Sequence, residues 1–397
     1  MLIILFLSIQ AFFLPYLLWL LFMAIAGRRR DEEFPQVEKR LRFAIIVCAR
    51  NEERVIAKLI DSLKEQDYPS ECSEVFLIAH NCTDNTAAIG RVHRAVVWEL
   101  TQSEDPRKGD ALKYAVDRIQ MEYPDLFDAF CIFDADNIVD SRYLSEANSA
   151  LQSGADGVVG LRDSINPDAC WVSNMCSVHW LMLSRMYHMP RRWLGLSCFV
   201  QGTGYAFLKE CMEPDGWKGR SLTEDFEFSA NMILANRRVT HTLRARFYDE
   251  QPTEFYAWLG QLYRWMFGAK ENTRFILSAL GGIWSHPIRK WDLFWNASAI
   301  PVSGFLGLAT GSVLTAGFFT GKWKLAALTA ACVSAASYWG IALMALTSVL
   351  YCGKSIRRYW RGILAYPFFL FFASALFLLT LPYKKCQWKA LLHKGNS

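Results

Sequence analysis

Two carboxylates separated by one residue close an apolar run near the middle of the chain. The stretch CIFDADNIVD, residues 131–140, leads from Cys131 through Phe133 into Asp134 and Asp136, and Asp140 follows. An unpartnered carboxylate is costly to bury, so these acids either reach water at a strand end or face something positive. A D-x-D pair at such a place suits a hard divalent cation, Mg²⁺ or Mn²⁺, which takes oxygen ligands and shares them with substrate phosphates. By itself the pair reads more readily as exposed loop acids.

Three more stretches carry chemistry. RKGDALKYAV places Lys108 at a loop-to-helix junction, where an ammonium group and a helix N-terminus suit a diphosphate. LTEDFEFS places Thr223, Glu224 and Asp225 at a helix start. QLYRWMFG sets Gln261 and Arg264 on one helical face, three residues apart, with Trp265 beside them. Each also has a plain structural reading: a basic helix start, an acidic first turn, an amphipathic helix on a membrane surface.

The elements that must position these groups alternate. FAIIVCA (43–49) has strand length and runs into Arg50, Asn51, Glu52 and Glu53. Apolar residues then recur with helical spacing at 55, 56, 59, 60 and 63. VFLIA ends in His80-Asn81-Cys82-Thr83-Asp84. AVVWEL, a helix over about 109–121, and the strand FCIF follow. Strands alternating with helices predict a parallel sheet covered on both faces, with ligands bound beyond the carboxyl ends of its strands. RNEE, HNCTD and DADN all follow strands, so they should gather on one edge.

The chain has 397 residues, 52% of them hydrophobic, and a net charge of +5. Residues 2–26, 295–320, 325–351 and 362–382 carry no charge, and each is long enough to cross a ~30 Å hydrocarbon core. The first is read as a retained anchor, because its basic residues, Arg28–Arg30, follow it. The expected organisation is an N-terminal transmembrane helix (1–27), a soluble domain ending in interfacial helices (28–292), three C-terminal transmembrane segments (293–383) and a basic tail (384–397). Arg28–Arg30, Arg289 and Lys290 place the soluble domain in the cytoplasm by the positive-inside rule, making this a multi-pass protein of the cell membrane. Four spans would put Lys384, Lys385, Lys389 and Lys394 outside; either the last stretch re-enters, or the tail is tolerated there. Eleven scattered cysteines without a C-x-x-C pair fit buried thiols in a reducing compartment.

The order D-x-D, G-T-G, T-E-D, Q-x-x-R-W, on a domain between apolar spans, resembles the membrane-bound inverting glycosyltransferases of family 2, among them cellulose, chitin and hyaluronan synthases and chitooligosaccharide synthases. The resemblance covers roughly residues 41–270. It implies an α/β fold, a GT-A (Rossmann-like) domain plus transmembrane α-helices, and a nucleotide-diphosphate-sugar donor, a UDP-sugar in many relatives. Carried over by position, Ala49, Asn51 and Glu52 lie at the nucleotide edge. Lys108, Asp134, Gln261 and Arg264 contact the donor, and Asp136 holds Mg²⁺ or Mn²⁺. Asp225 is the general base, Glu224 and Trp265 meet the acceptor, and Gly202, Thr203 and Gly204 form the loop facing it. His80 stands where many relatives have an aspartate against uracil. That departure leaves the base open, with Asn81 or Asp84 as alternative contacts.

The implied reaction is a single displacement at the anomeric carbon, which inverts an α-linked donor to a β-linkage. Glucose and N-acetylglucosamine are the expected sugars. Processive polysaccharide synthesis with export is the first expectation; transfer of one sugar to a lipid-linked acceptor is the second. Expected partners are the nucleotide sugar, a glycan or lipid-linked acceptor and membrane lipid, with no nucleic acid. Charge-free spans are poor material for a transport pathway, which sets aside a transporter with a regulatory nucleotide-binding domain.

Overall fold

FAIIVCA forms strand β1, Phe43–Ala49, inside the sheet of a computed structural model that describes residues 14, 15, 18–29, 32–101, 107–212, 216–281, 287–384 and 386. Half of the expected first span and Lys385, Lys389 and Lys394 of the expected tail lie outside the described residues. Both faces of β1 are buried: Phe43, Ile45 and Val47 enter one core cluster, Ala44 and Ile46 the other. That is the pattern of a parallel strand sandwiched between helices.

Helix α1, Ile56–Lys64, buries Ile56, Leu59, Ile60 and Leu63, an i, i+3, i+4, i+7 stripe. Strand β2 (Ser73–His80), helix α2 (Thr86–Val92), strand β3 (Val96–Leu100), helix α3 (Lys108–Glu122) and strand β4 (Ala129–Asp134) follow. Strand β1 pairs in parallel with β2 and β4, and β2 with β3. Next come β5 (Ile138–Val139), α4 (Tyr143–Gln152) and β6 (Gly157–Ser164). Helix α5 (Trp171–Met182) continues through a π-helical stretch, Leu183–His188, to Trp193. Strand β7 (Tyr205–Leu208), helix α6 (Glu224–Leu234) and strand β8 (Val239–Asp249) complete an eight-stranded sheet of order β3-β2-β1-β4-β7-β6-β8-β5.

The sheet is mixed, where the alternation of elements predicts a parallel one. Strand β7 runs antiparallel to both β4 and β6. Gln201–Gly204 explains this. The Asp134 N–H donates to Thr203 Oγ1 at 2.8 Å and the Gly204 N–H to the Ile132 carbonyl at 2.9 Å. Strand β7 therefore starts at the carboxyl end of β4 and can only run back. Gly202 and Gly204 have φ of +80° and +64°, open to glycine at little cost, and a Cβ on Gly204 would strike the Phe247 ring.

Five helices follow: α7 (Phe255–Glu271), α8 (Arg274–Gly281), α9 (Pro287–Phe319), α10 (Trp323–Tyr351) and α11 (Ile356–Thr380). Among the described residues two of them, α10 and α11, are long and apolar enough to cross a bilayer by length and composition. All but the last residue of the expected span at 295–320 lies in α9, whose first turns carry Arg289, Lys290 and Asp292.

One buried ion pair ties this region to the sheet domain. Arg191 donates through Nε and Nη2 to the two Asp292 oxygens, each at 2.8 Å, and Trp19 Nε1 donates to the same carboxylate at 3.3 Å. Asp292 is 1% exposed and Arg191 4%. Removing one partner leaves the other charge buried and uncompensated. Arg191→Met should therefore cost ~3–5 kcal/mol in reversible unfolding, and the double change Arg191→Met/Asp292→Leu should regain most of it. A single mutant within ~1 kcal/mol of the native chain would show that the pair does not hold these elements together.

Candidate active site

The polar clusters do meet at the carboxyl edge, around a cavity of about 950 Å³. Two strand-end loops interlock to shape its nucleotide side. Asn51, with φ +59°, accepts the Thr83 N–H on Oδ1 at 2.7 Å. The Glu52 N–H donates to Thr86 Oγ1 at 2.8 Å, and Asp84 accepts from Thr86 N–H at 3.0 Å and Glu53 N–H at 3.1 Å. Asp84 is thus engaged within its own loop and across to the β1 loop, while His80, 5% exposed, lines the cavity from the end of β2. Ala49 and Glu52 also line it; Asn51 lies behind them as a clamp between loops.

The positive group that the acids called for is Lys108. Its Nζ pairs with Asp134, donates to the Gly202 carbonyl at 2.6 Å and lies 3.9 Å from Glu224 Oε1. Burial works against this charge, but Asp134 and Glu224 outweigh it and hold the ammonium above the ordinary lysine range. The first residue of α3 thereby joins β4, the G-T-G loop and the T-E-D turn.

Glu224 and Asp225 open α6, and both line the cavity. Burial, opposed by Lys108 and reinforced by Asp225, pushes Glu224 up to about 7. Burial also raises Asp225, against the Phe226 N–H bond at 2.8 Å and the charges of Lys108 and Arg264. Asp225 Oδ2 lies 3.7 Å from where a Gly202 Cβ would stand, so the glycine keeps space at the carboxylate. Thr203 and Gly204 sit elsewhere than expected. Thr203 is fully buried, bonded to the Asp134 N–H and to Asn137, and Gly204 packs on Phe247. Neither lines the cavity, because their hydrogen bonds are used to start β7.

Helix α7 brings Gln261, Arg264 and Trp265 to the opposite wall. Gly268 allows this: a Cβ there would lie 3.0 Å from the Thr223 Cβ. Asn272 Nδ2 donates to Thr223 Oγ1 at 2.7 Å, locking α7 onto the start of α6. Trp265 stacks on His179 and meets Trp180 edge-on, at centroid distances of 6.3 and 5.7 Å.

Sequence reasoning missed the wall beneath Trp265. Arg162 Nε donates to Asp249 Oδ2 at 2.7 Å, Nη1 donates to the Gln201 carbonyl at 3.0 Å, and the guanidinium lies 3.7 Å from the Trp180 ring centre. Trp180 Nε1 donates to Gln251 Oε1 at 3.1 Å. Burial and the nearby Arg162 charge push His179 down to about 3, so it is a neutral ring surface. These residues are far apart in the chain and form no motif. The one hint was an arginine directly after the apolar run VVGL within one strand.

Among the described residues no three His, Cys, Asp or Glu side chains form a metal-ligating group. Mg²⁺ and Mn²⁺ sites at diphosphates commonly use one or two carboxylates and draw other ligands from phosphate and water. Asp136 lines the cavity two residues beyond the Lys108-bound Asp134, which fits such a substrate-borne ion. Asp136 would hold it, and the ion would supply charge neutralisation at the leaving diphosphate.

The mixed α/β sheet, with an ammonium, paired acids and aromatic rings gathered at its carboxyl edge, has the GT-A fold. The chain belongs to the glycosyltransferase-like family 2, whose model matches residues 40–268. It is 22% identical over 276 residues to a probable glycosyltransferase of Bacillus subtilis, YdaM, covering 68% of this chain and 63% of that one. It is 25% identical over 256 residues to the beta-monoglucosyldiacylglycerol synthase of Synechocystis, covering 62% and 50%. The chain thus spans less than two thirds of the length of these curated relatives. The mannosyltransferase PcManGT of Pyrobaculum calidifontis, solved with GDP-Man and Mn²⁺, shares the fold at a TM-score of 0.67, with 18% identity over 96% of this chain and 100% of that one.

Two outcomes test the site. With Asp225 as base, Asp225→Asn should lose ~10²-fold or more in transfer while still binding donor, and Glu224→Gln should lose less. The base must be ionised, and burial raises both carboxylates of this pair, so kcat should fall on the acidic side at a pH above the ordinary aspartate range. Glu224→Gln removes the like-charge neighbour and should move that acidic limb downward. An Asp225→Asn enzyme near the native rate beside a dead Glu224→Gln reverses the assignment. Separately, Asp136→Ala and EDTA should each abolish transfer with the unfolding midpoint unchanged. Full activity in EDTA would remove the metal from the reaction.

Proposed function

We propose that the chain moves one hexose from a nucleotide-diphosphate sugar, with inversion to a β-linkage, onto a lipid-linked acceptor at the membrane surface. The cavity carries this reading. Its lining joins the charged groups Lys108, Asp134, Asp136 and Arg264 to apolar residues of the C-terminal helices, Ala297 and Ala299 from α9 and Phe369, Leu370 and Ala373 from α11. A donor matches the first set and an acyl-bearing acceptor the second. The lipid acceptor named for the Synechocystis relative agrees with this division.

In the reaction, Lys108 and Arg264 offset charge developing on the departing nucleoside diphosphate. Asp225 takes the proton of the acceptor hydroxyl as its oxygen attacks the anomeric carbon from the face opposite the leaving group. Trp265, with His179 and Trp180 behind it, offers an aromatic surface to the acceptor's head. His80 sits where the donor base would pack, and the catalytic domain faces the cytoplasm.

Vesicles carrying the full chain and diacylglycerol, supplied in turn with radiolabelled UDP-glucose, UDP-N-acetylglucosamine and GDP-mannose, test this. One donor should give a single organic-extractable glycolipid with a β-anomeric proton coupling. A water-soluble ladder or high polymer in gel filtration would replace this reading with processive synthesis.

A further inference from the structure

We infer that α11, though long and apolar enough to span a bilayer, does not cross it: it lies in the membrane surface with both ends on the catalytic-domain side. This rests on the membrane placement proposed above and adds the topology of the last apolar segment.

The observation is that α11 never leaves the catalytic domain. At its start, Arg358 Nε donates to Asp168 Oδ2 at 2.7 Å, and Asn174 of α5 donates to the Arg358 carbonyl at 2.9 Å and accepts the Gly362 N–H at 2.6 Å. In its middle, Tyr366 OH meets His179 Nδ1 at 3.1 Å, and Phe369 stacks on the same ring at 4.2 Å. Trp258 of α7 packs on Phe369 and Phe372, with ring centres 5.6 and 5.7 Å away. At its end, Lys270 of α7 donates to the carbonyls of Thr380, Leu381 and Tyr383 at 3.1, 3.0 and 2.6 Å, capping groups that a helix end leaves without partners. Helices α5 and α7 belong to the same domain, so the two ends of α11 are anchored to one body. A helix of this length measures ~37 Å; were it crossing, its end would lie a ~30 Å hydrocarbon core away from its start.

The outward face supports this. Trp360, Leu364, Phe368, Phe371 and Leu379 are 51, 39, 53, 66 and 61% exposed. At helical spacing they form one apolar stripe opposite the buried row of Tyr359, Ile363, Tyr366 and Phe377. Arg357, Arg361 and Lys384, all exposed, flank the stripe, and Arg361 lies 5.6 Å from the Trp360 ring. An apolar stripe bracketed by cations and an indole is the make-up of a helix seated at the headgroup boundary of an anionic leaflet. The placement also returns the basic tail to the cytoplasmic side, where the positive-inside rule favours it.

The full chain with a C-terminal epitope tag, in sealed vesicles, tests the topology. Protease added from the face that digests the catalytic domain should remove the tag as well; a tag protected there overturns the placement. Nitroxides at Leu364→Cys, Phe371→Cys and Leu379→Cys, with the reactive native cysteines replaced by serine, give depth. An in-plane helix puts all three at one depth near the headgroups. A spread approaching the ~22 Å that separates 364 from 379 along a helix axis, or nitroxides fully exposed to water, overturns it. Neither readout involves sugar transfer. An inactive chain leaves the α11 result standing, and an active chain with a protected tag overturns α11 alone.

Discussion

One ammonium group sets the charge balance of the site. Lys108 sits where the end of β4, the G-T-G loop and the T-E-D turn converge, and it answers Asp134, the Gly202 carbonyl and Glu224 together. Without it, three buried or half-buried carboxylates would face one another in a cavity partly walled by apolar helices, and such groups neutralise rather than remain charged there. Its presence lets Asp134 stay paired while Glu224 and Asp225 are pushed upward by burial. In the proposed reaction the same cation, resting on carboxylates, would meet the diphosphate, one anionic partner exchanging for another.

From that point the site is held by packing. Thr223 precedes the two acids and is wedged against Gly268 and bonded to Asn272. Helix α7 in turn leans on α11 through Trp258 and Lys270. The angle at which Glu224 and Asp225 enter the cavity is therefore fixed by the C-terminal helices. A helix that carries Gln261, Arg264 and Trp265 at one wall and caps α11 at its end would link the proposed membrane placement to the geometry of the site.

Much of this was legible in the sequence, for physical reasons. Burial on both faces writes continuous apolar runs, so β1, β2 and β4 stood out, and the i, i+3, i+4 stripe of α1 matched its buried residues. Strand ends carry polar clusters because the sheet's binding edge is there, and twelve of the fifteen site residues named from sequence and resemblance, Asp134 and Asp136 among them, lie on the cavity wall. What stayed hidden depends on distant contacts. Nothing local says that Lys108 pairs with Asp134, that Thr203 spends its hydroxyl on the β4 backbone, or that Arg162 meets Asp249. The antiparallel β7 was missed because helix–strand alternation is silent about a loop that crosses a strand end. The placement of α11 was hidden because an apolar stretch has the same composition whether lipid surrounds it or a protein covers one side.

The hidden Arg162 network bears on what the acceptor end can take. Arg162 commits its charge to Asp249 and its flat face to Trp180, and Gln251 satisfies both Asp249 and the Trp180 indole. Burial raises Asp249, opposed by Arg162, so the pair is internally balanced. Unlike Lys108 at the donor end, its guanidinium is spoken for by a carboxylate from β8, on the far side of the sheet's centre. A neutral, hydroxyl-bearing head group can lie against Trp265 and Trp180 without displacing any of these bonds, whereas an anion would have to compete with Asp249 for Arg162. In the proposed reaction one cavity would thus sort ligands by charge: the diphosphate to the cation at the end of β4, the uncharged hydroxyl to the aromatic wall.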